Sequence, residues 1–201
     1  MEKNVRIPQQ KRSIEKKKNV IEAAQKLFNE KGYSQTNTSD IAKEAGLSVC
    51  SVYSYFKDKK DIFISCLQEN SEKIKASISE KIAEISKDKD VIEIIKDVYY
   101  VFIEAHNFSK IYHNDAMSLK YVDDDVRSYF QNERLFFAEA TIKQLKEVGI
   151  TLKHEKEQTF LIYSLFENLE DELIYSPDAN IDKDIVVNEC AQMIVSILDA
   201  G

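Results

Sequence analysis

Apolar residues recur at helical spacing along most of the chain. Between Ser13 and Lys31, the residues Ile14, Val20, Ile21, Ala24, Leu27 and Phe28 fall on one stripe, which predicts a helix that stops at Gly32. Asn37 then stands as the cap of a short helix, with Asp40 three residues on in the place of a capping-box acid. Ile41, Ala42 and Ala45 form its apolar face, and Gly46 ends it. Ser48 opens a third helix expected to run to about Phe56. Both short helices are too brief to be stable alone and must lean on the long one before them. Helix, tight glycine turn, helix within about 20 residues is the pattern of a helix-turn-helix.

After the lysine cluster KDKK a long helix is expected, with Ile62, Phe63, Cys66, Leu67, Ile74, Ile78, Ile82 and Ile85 on its inner face and an end in the charged stretch 86–90. Further helices are expected near 91–106, 109–121, 124–148, 155–175 and 183–199, with breaks at Asn107, at 123–125, at Gly149 and at 176–178. Four glycines and two prolines in 201 residues leave little for the turns of a sheet. The fold class that follows is all-α.

Charge divides the chain unevenly. The net charge is −7, yet residues 1–62 carry 13 Lys and Arg against 8 Asp and Glu, while the remainder carries 15 against 27. A basic end on an acidic body suits contact with nucleic acid at that end. The two most apolar stretches, VIEIIKDVYYVFIEA and FLIYSLFENL, are interrupted by charges well short of a membrane span, and no secretory signal opens the chain. Cysteines at 50, 66 and 190 have no paired spacing, so reduced thiols and a cytoplasmic location are expected.

The stretch TNTSDIAKEAGLSVCSVYSYFKDKKDIF resembles the DNA-binding motif of TetR-family transcriptional regulators. The elements that carry the resemblance are Ile41-Ala42, Ala45-Gly46, Ser48, Tyr53, Tyr55-Phe56, Lys59 and Ile62-Phe63, in register from Val20 to Phe63 without an insertion. It departs from the family where Cys50 stands for a frequent glycine, Val49 for a polar or basic residue, and Asn37 for a Ser or Thr cap; these bear on which DNA sequence is read. The resemblance implies a DNA-binding domain over 1–62 with a basic N-terminal arm that includes Lys11, Arg12, Lys16, Lys17 and Lys18, and an effector-binding and dimerisation domain over 63–201.

The physical roles agree with it. Thr36, Asn37 and Thr38 sit where a helix N-terminus offers amides to phosphate. Ser48, Val49, Cys50 and Ser51 lead the third helix toward base edges, where Val49 suits a thymine methyl group and Ser51 a range of acceptors. Tyr53 and Tyr55 suit phosphate or the groove wall, and Lys59 a phosphate. Phe56 is expected to pack inward.

In the acidic remainder, helices near 155–175 and 183–199 are apolar beyond one stripe. Leu161, Leu165, Leu169, Ile194, Ile197 and Leu198 are the candidates for a four-helix homodimer interface. Tyr99, Phe102, His106, Tyr112, Met117, Tyr121, Phe137, Tyr163, Phe166 and Glu167 are the candidates to line a site for a hydrophobic or aromatic small-molecule effector.

No catalytic constellation stands out. The three histidines form no HExxH or other close pair, and phosphate-binding glycine loops are absent, so neither enzyme activity nor a cofactor is expected. Asp123-Asp124-Asp125 reads as an N-cap cluster rather than a metal site. Function is expected to be that of a one-component regulator, most simply a repressor released from a near-palindromic double-stranded operator by its effector. The alternative is a helical protein-interaction scaffold.

Overall fold

A helix that carries a glycine near its end can turn a corner there, and Gly32 does so. In the computed structural model, which describes residues 11–84, 90–105, 109–147, 149–175 and 180–199, the first helix α1 (Lys11–Gln35) is broken at Gly32, whose φ of 81° and ψ of 169° are open only to glycine. The order continues α2 (Thr38–Glu44), α3 (Val49–Tyr53), α4 (Lys59–Glu84), α5 (Val91–Ala105), α6 (Lys110–Val122), α7 (Asp124–Glu147), α8 (Glu155–Glu170) and α9 (Lys183–Asp199). No strand occurs among the described residues.

The expected caps are present. Asn37 Oδ1 accepts from the Asp40 amide at 2.8 Å, and Ser48 Oγ from the Ser51 amide at 3.2 Å. Between them the Gly46 amide donates to Lys43 O and the Leu47 amide to Ala42 O, a Schellman closure of α2 with Gly46 in the left-handed region at φ 66°. Asp123 caps α7 by accepting from the Asp125 and Val126 amides.

Two expectations on length differ. The third helix stops at Tyr53 rather than Phe56, because Ser54 caps it and the chain leaves helical geometry to reach α4. The helix expected to 175 ends as an α-helix at Glu170 and widens into a π-helical turn, Asp171–Tyr175. The expected end of α4 beyond Glu84 and the breaks at 107 and 176–178 lie outside the described residues.

The chain forms two compact units, Met1–Lys73 with Phe108–Arg127, and Ile74–Asn107 with Ser128–Gly201. In the first, Val20, Ala24 and Phe28 of α1, Ile41 and Ala42 of α2, Val52 of α3 and Ile62, Phe63 and Cys66 of α4 are buried together with Tyr112 of α6. Phe28, Tyr33, Phe63 and Tyr112 form one aromatic cluster with centroid separations from 5.0 to 6.3 Å. Burial of a Phe side chain stabilises by about 1.5–3 kcal/mol. Phe56 is buried, as expected.

The second unit is a helical bundle whose core joins Tyr99 of α5, Ile162 and Phe166 of α8, and Val187, Cys190, Ile194 and Leu198 of α9. The buried Gln158 amide ties α8 to α9, donating to Ile197 O at 2.5 Å and accepting from the His154 amide at 2.8 Å. Burial pushes the Cys190 thiol up to about 11.

Substitution should separate the two turning glycines. A Cβ on Gly32 would fall 2.8 Å from Asp115 Oδ2 and 2.9 Å from Ile111 Cγ2, whereas nothing stands within 4 Å of one on Gly46. Gly46→Ala should therefore lose about 1–2 kcal/mol from left-handed strain alone. Gly32→Ala adds a displaced α6 to a strain of about 1–3 kcal/mol, and should melt at the lower temperature of the two by thermal denaturation.

Candidate nucleic-acid interface

Five residues of α3 leave room for only one to face inward. Val52 is fully buried, Val49 and Ser51 are half-buried, and Cys50 and Tyr53 are exposed, Tyr53 at 38%. Tyr53 stands one turn from both Val49 and Cys50, so the exposed side of α3 runs across these three residues. At its start the exposed Ser48 and the half-buried Ser51 share a hydrogen bond between hydroxyls 2.9 Å apart. Asn37 is exposed and Thr38 half-buried at the start of α2. Asn37 thus caps α2 and Ser48 caps α3, each ahead of its helix.

Three others are not on that surface. Thr36 is 1% exposed, and its hydroxyl donates to Gly32 O at 2.7 Å, so it closes the end of α1. Tyr55 is 8% exposed and its hydroxyl accepts from Ser13 Oγ at 3.1 Å, because it lies beyond the end of α3 where the chain folds back on α1. Lys59 is half-buried, with its ammonium donating to Tyr33 O at 2.7 Å and Thr36 O at 2.9 Å, 4.0 Å from the Tyr33 ring centroid. Burial lowers its pKa, opposed by the charge of Asp115.

The exposed cation of this loop is Lys57 instead. Asp58 accepts from the Asp61 amide at 2.9 Å and Asp61 from the Lys57 amide at 2.8 Å, a reciprocal cap that turns Lys59 inward. The Asp58-x-x-Asp61 spacing was the signal for it. Lys43 is also exposed, while Lys31 and Lys26 are taken up by Asp40 and Glu44, each at 2.6 Å. The Lys31 ammonium, opposed by some burial, holds the Asp40 carboxyl below the usual range.

The remaining candidates divide between the units. Tyr99, Phe102, Phe137, Tyr163 and Phe166 make successive ring contacts in the second, with centroids 5.2 to 6.2 Å apart. Glu167 is half-buried there. Tyr112 is a core ring of the first unit, Met117 is half-buried on α6 and Tyr121 is exposed at its end. His106 lies outside the described residues. An open surface groove of about 540 Å³ lies elsewhere on the second unit, between Glu139, Ile142, Lys143, Lys146, Glu147 and Glu155.

Of the apolar residues expected at a dimer interface, Ile194 and Leu198 belong to the core of the second unit, and Leu165, Leu169 and Ile197 pack against it. Leu161 is 49% exposed beside Phe160, and Ile185 and Met193 are exposed on α9. Among the described residues no three His, Cys, Asp or Glu side chains are placed to hold a metal ion, and no helix is long and apolar enough to cross a membrane. Asp123 and Asp125 both pair with Lys60, at 3.0 and 2.5 Å, which raises the Lys60 pKa.

Residues 20–66 match the sequence profile of bacterial regulatory proteins of the tetR family. The fatty acid metabolism regulator protein of Bacillus subtilis is 32% identical over 91 residues, 45% of this chain and 47% of its own. The alignment thus spans about half of that relative. The probable HTH-type transcriptional regulator YttP of the same organism is 24% identical over 148 residues, 70% of this chain and 72% of its own. In fold, the chain is similar to a TetR-family transcriptional regulator of Mesorhizobium loti (TM-score 0.68, 16% identity, 95% of this chain and 98% of that one). It is also similar to the fatty acid degradation regulator FadR of Bacillus halodurans (TM-score 0.63, 22% identity, 89% and 94%). With the helix-turn-helix geometry in place and the profile match centred on it, residues 20–66 form a DNA-binding motif of the kind found in bacterial regulatory proteins of the tetR family.

Proposed function

We propose that this protein is a cytoplasmic one-component transcriptional regulator that acts as a homodimeric repressor on a near-palindromic operator. The observation that carries the reading is the outward face of α3: Cys50 and Tyr53 are exposed and Val49 is half-buried beside them, over a core that Val52 anchors, with Ser48 and Ser51 at the leading end. A face of that size and polarity suits the floor of a major groove, with apolar contact to thymine methyl groups and hydroxyl contact to base edges. Asn37, Thr38 and Lys57 flank it as contacts to phosphate. Thr36, Tyr55 and Lys59 support the reading from beneath and do not touch DNA.

Dimerisation would cover the exposed apolar residues of α8 and α9, namely Phe160, Leu161, Ile185 and Met193. Two-fold symmetry then requires half-sites related by a dyad, about one helical turn apart. The effector would enter the aromatic cluster of the second unit by displacing ring contacts between Phe137, Tyr163 and Phe166. A hydrophobic ligand suits that lining. The relatives named for fatty acid metabolism and degradation make a fatty acyl compound the first class to try.

An anisotropy titration of the protein against duplex from its own upstream region tests the reading. Specific binding should weaken steeply as salt rises, by roughly 10³-fold or more between 50 and 200 mM if at least six phosphates are contacted. Tyr53→Ala should reduce affinity with the melting temperature unchanged. Lys59→Met should lower the melting temperature instead, since it removes two hydrogen bonds from a charged donor, worth about 1.5 kcal/mol each or less at this partial exposure. Equal affinity of the wild type for every duplex at all salt concentrations would overturn the regulator and favour a protein-interaction scaffold.

A further inference from the structure

Besides the local closure by Thr36, the end of α1 is held by two other helices. At Gly32 the chain leaves helical dihedrals, and the Tyr33 amide donates to the Asp115 carboxylate of α6 at 2.5 Å. The Tyr33 carbonyl, on the other side of the same residue, accepts from Lys59 of α4, which also holds the Thr36 carbonyl. The next residue is Asn37, the cap of α2. Tyr33 is therefore held at its N–H by α6 and at its C=O by α4, five residues before α2 begins at Thr38.

Nothing loose separates these parts. A Cβ on Gly32 would meet both Asp115 and Ile111, so α6 rests directly on the bare α-carbon. Asn29 Oδ1 accepts from the Ser109 amide at 2.8 Å at the other end of this contact, and Tyr112 fills the space between Phe28 and Phe63. Beyond α6, the Asp123 cap leads straight into α7, which runs on from the first unit into the second at Arg127.

We propose that Asp115 is a positioning residue for the DNA-reading helices. Through Asp115, Tyr33 and Lys59, α6 sets where α2 starts. The physical reason is that letting go is unfavourable: withdrawing the carboxylate orphans a half-buried amide, a penalty of about tenfold or more in an equilibrium. The turn follows α6 rather than release it. The proposal rests on the DNA-binding reading of α2 and α3, and it adds to the interface a residue about 60 positions downstream of the motif.

Hydrogen exchange of the full chain tests it without DNA. In Asp115→Ala, amides from 33 to 53 should exchange about tenfold faster, with α8 and α9 unchanged, and Asp115→Asn, which keeps an oxygen acceptor, should restore most of the protection. Affinity for the upstream duplex that the wild type selects should fall and recover in the same order. Unchanged exchange across 38–53, or equal acceleration throughout both units, would overturn the proposal. Should Asp115→Ala fail to fold, Lys59→Met probes the same residue from its carbonyl side, and protection of 38–53 indistinguishable from wild type would overturn it equally. If the wild type selects no duplex, the regulator reading fails, while the exchange result still decides whether Asp115 positions α2.

Discussion

A helix that ends inside a core must hand its last backbone groups to something other than water, and the first unit is organised by how α1 meets that constraint. Its chain breaks at Gly32, and the groups set free there are taken up from three directions: the Thr36 hydroxyl on Gly32 O, Asp115 on the Tyr33 amide and Lys59 on two carbonyls. An unpaired buried donor or acceptor costs about 1–3 kcal/mol, so these contacts decide the geometry more than any of the solvated ion pairs nearby. The aromatic cluster of Phe28, Tyr33, Phe63 and Tyr112 closes over the same corner. Apolar burial and backbone satisfaction thus converge on one place, from which α2, α4 and α6 depart.

This arrangement changes how the charge of the basic end should be counted. Residues 1–62 have a surplus of cations, but Lys26, Lys31 and Lys60 are paired with acids and Lys59 is turned onto carbonyls. Lys43 and Lys57 remain exposed beside the helix-turn-helix, with Lys16 and Lys17 near the start of α1 contributing from farther back. Such a surface attracts a polyanion by its periphery, while the centre of the face carries hydroxyls, a thiol and small apolar groups. On the proposed reading, affinity and selectivity would be supplied by different residues, the first sensitive to salt and the second to the base pairs presented.

Much of the fold was legible because the stripes and caps are local. The α1 stripe from Val20 to Phe28, Asn37, Gly46, Ser48 and Asp123 are each read from neighbours within a few positions and stand where expected, while Ile14, near the exposed start of α1, lies outside the core. Thr36, Tyr55 and Lys59 were not legible in the same way. Thr36 and Tyr55 lie just outside a short helix and Lys59 opens α4, where the period that tells inside from outside does not apply, and each is held by a partner from 4 to 42 positions away. Ile194 and Leu198 show a related limit: an apolar helix must be covered, but the pattern does not say whether a neighbour in the same chain or a second copy covers it. For α6, periodicity gave the helix and its bounds, while its seat on α1 follows from Asp115 and Gly32, 83 positions apart in sequence and in contact in space.

The central claim, that the outward face of α3 enters the major groove as one of a symmetric pair, is tested most directly by hydroxyl-radical footprinting on the upstream duplex. The account predicts two protected patches on one face of the DNA, their centres about 34–36 Å apart and related by a dyad. A single patch without symmetry, or uniform protection that disappears at moderate salt, would contradict it.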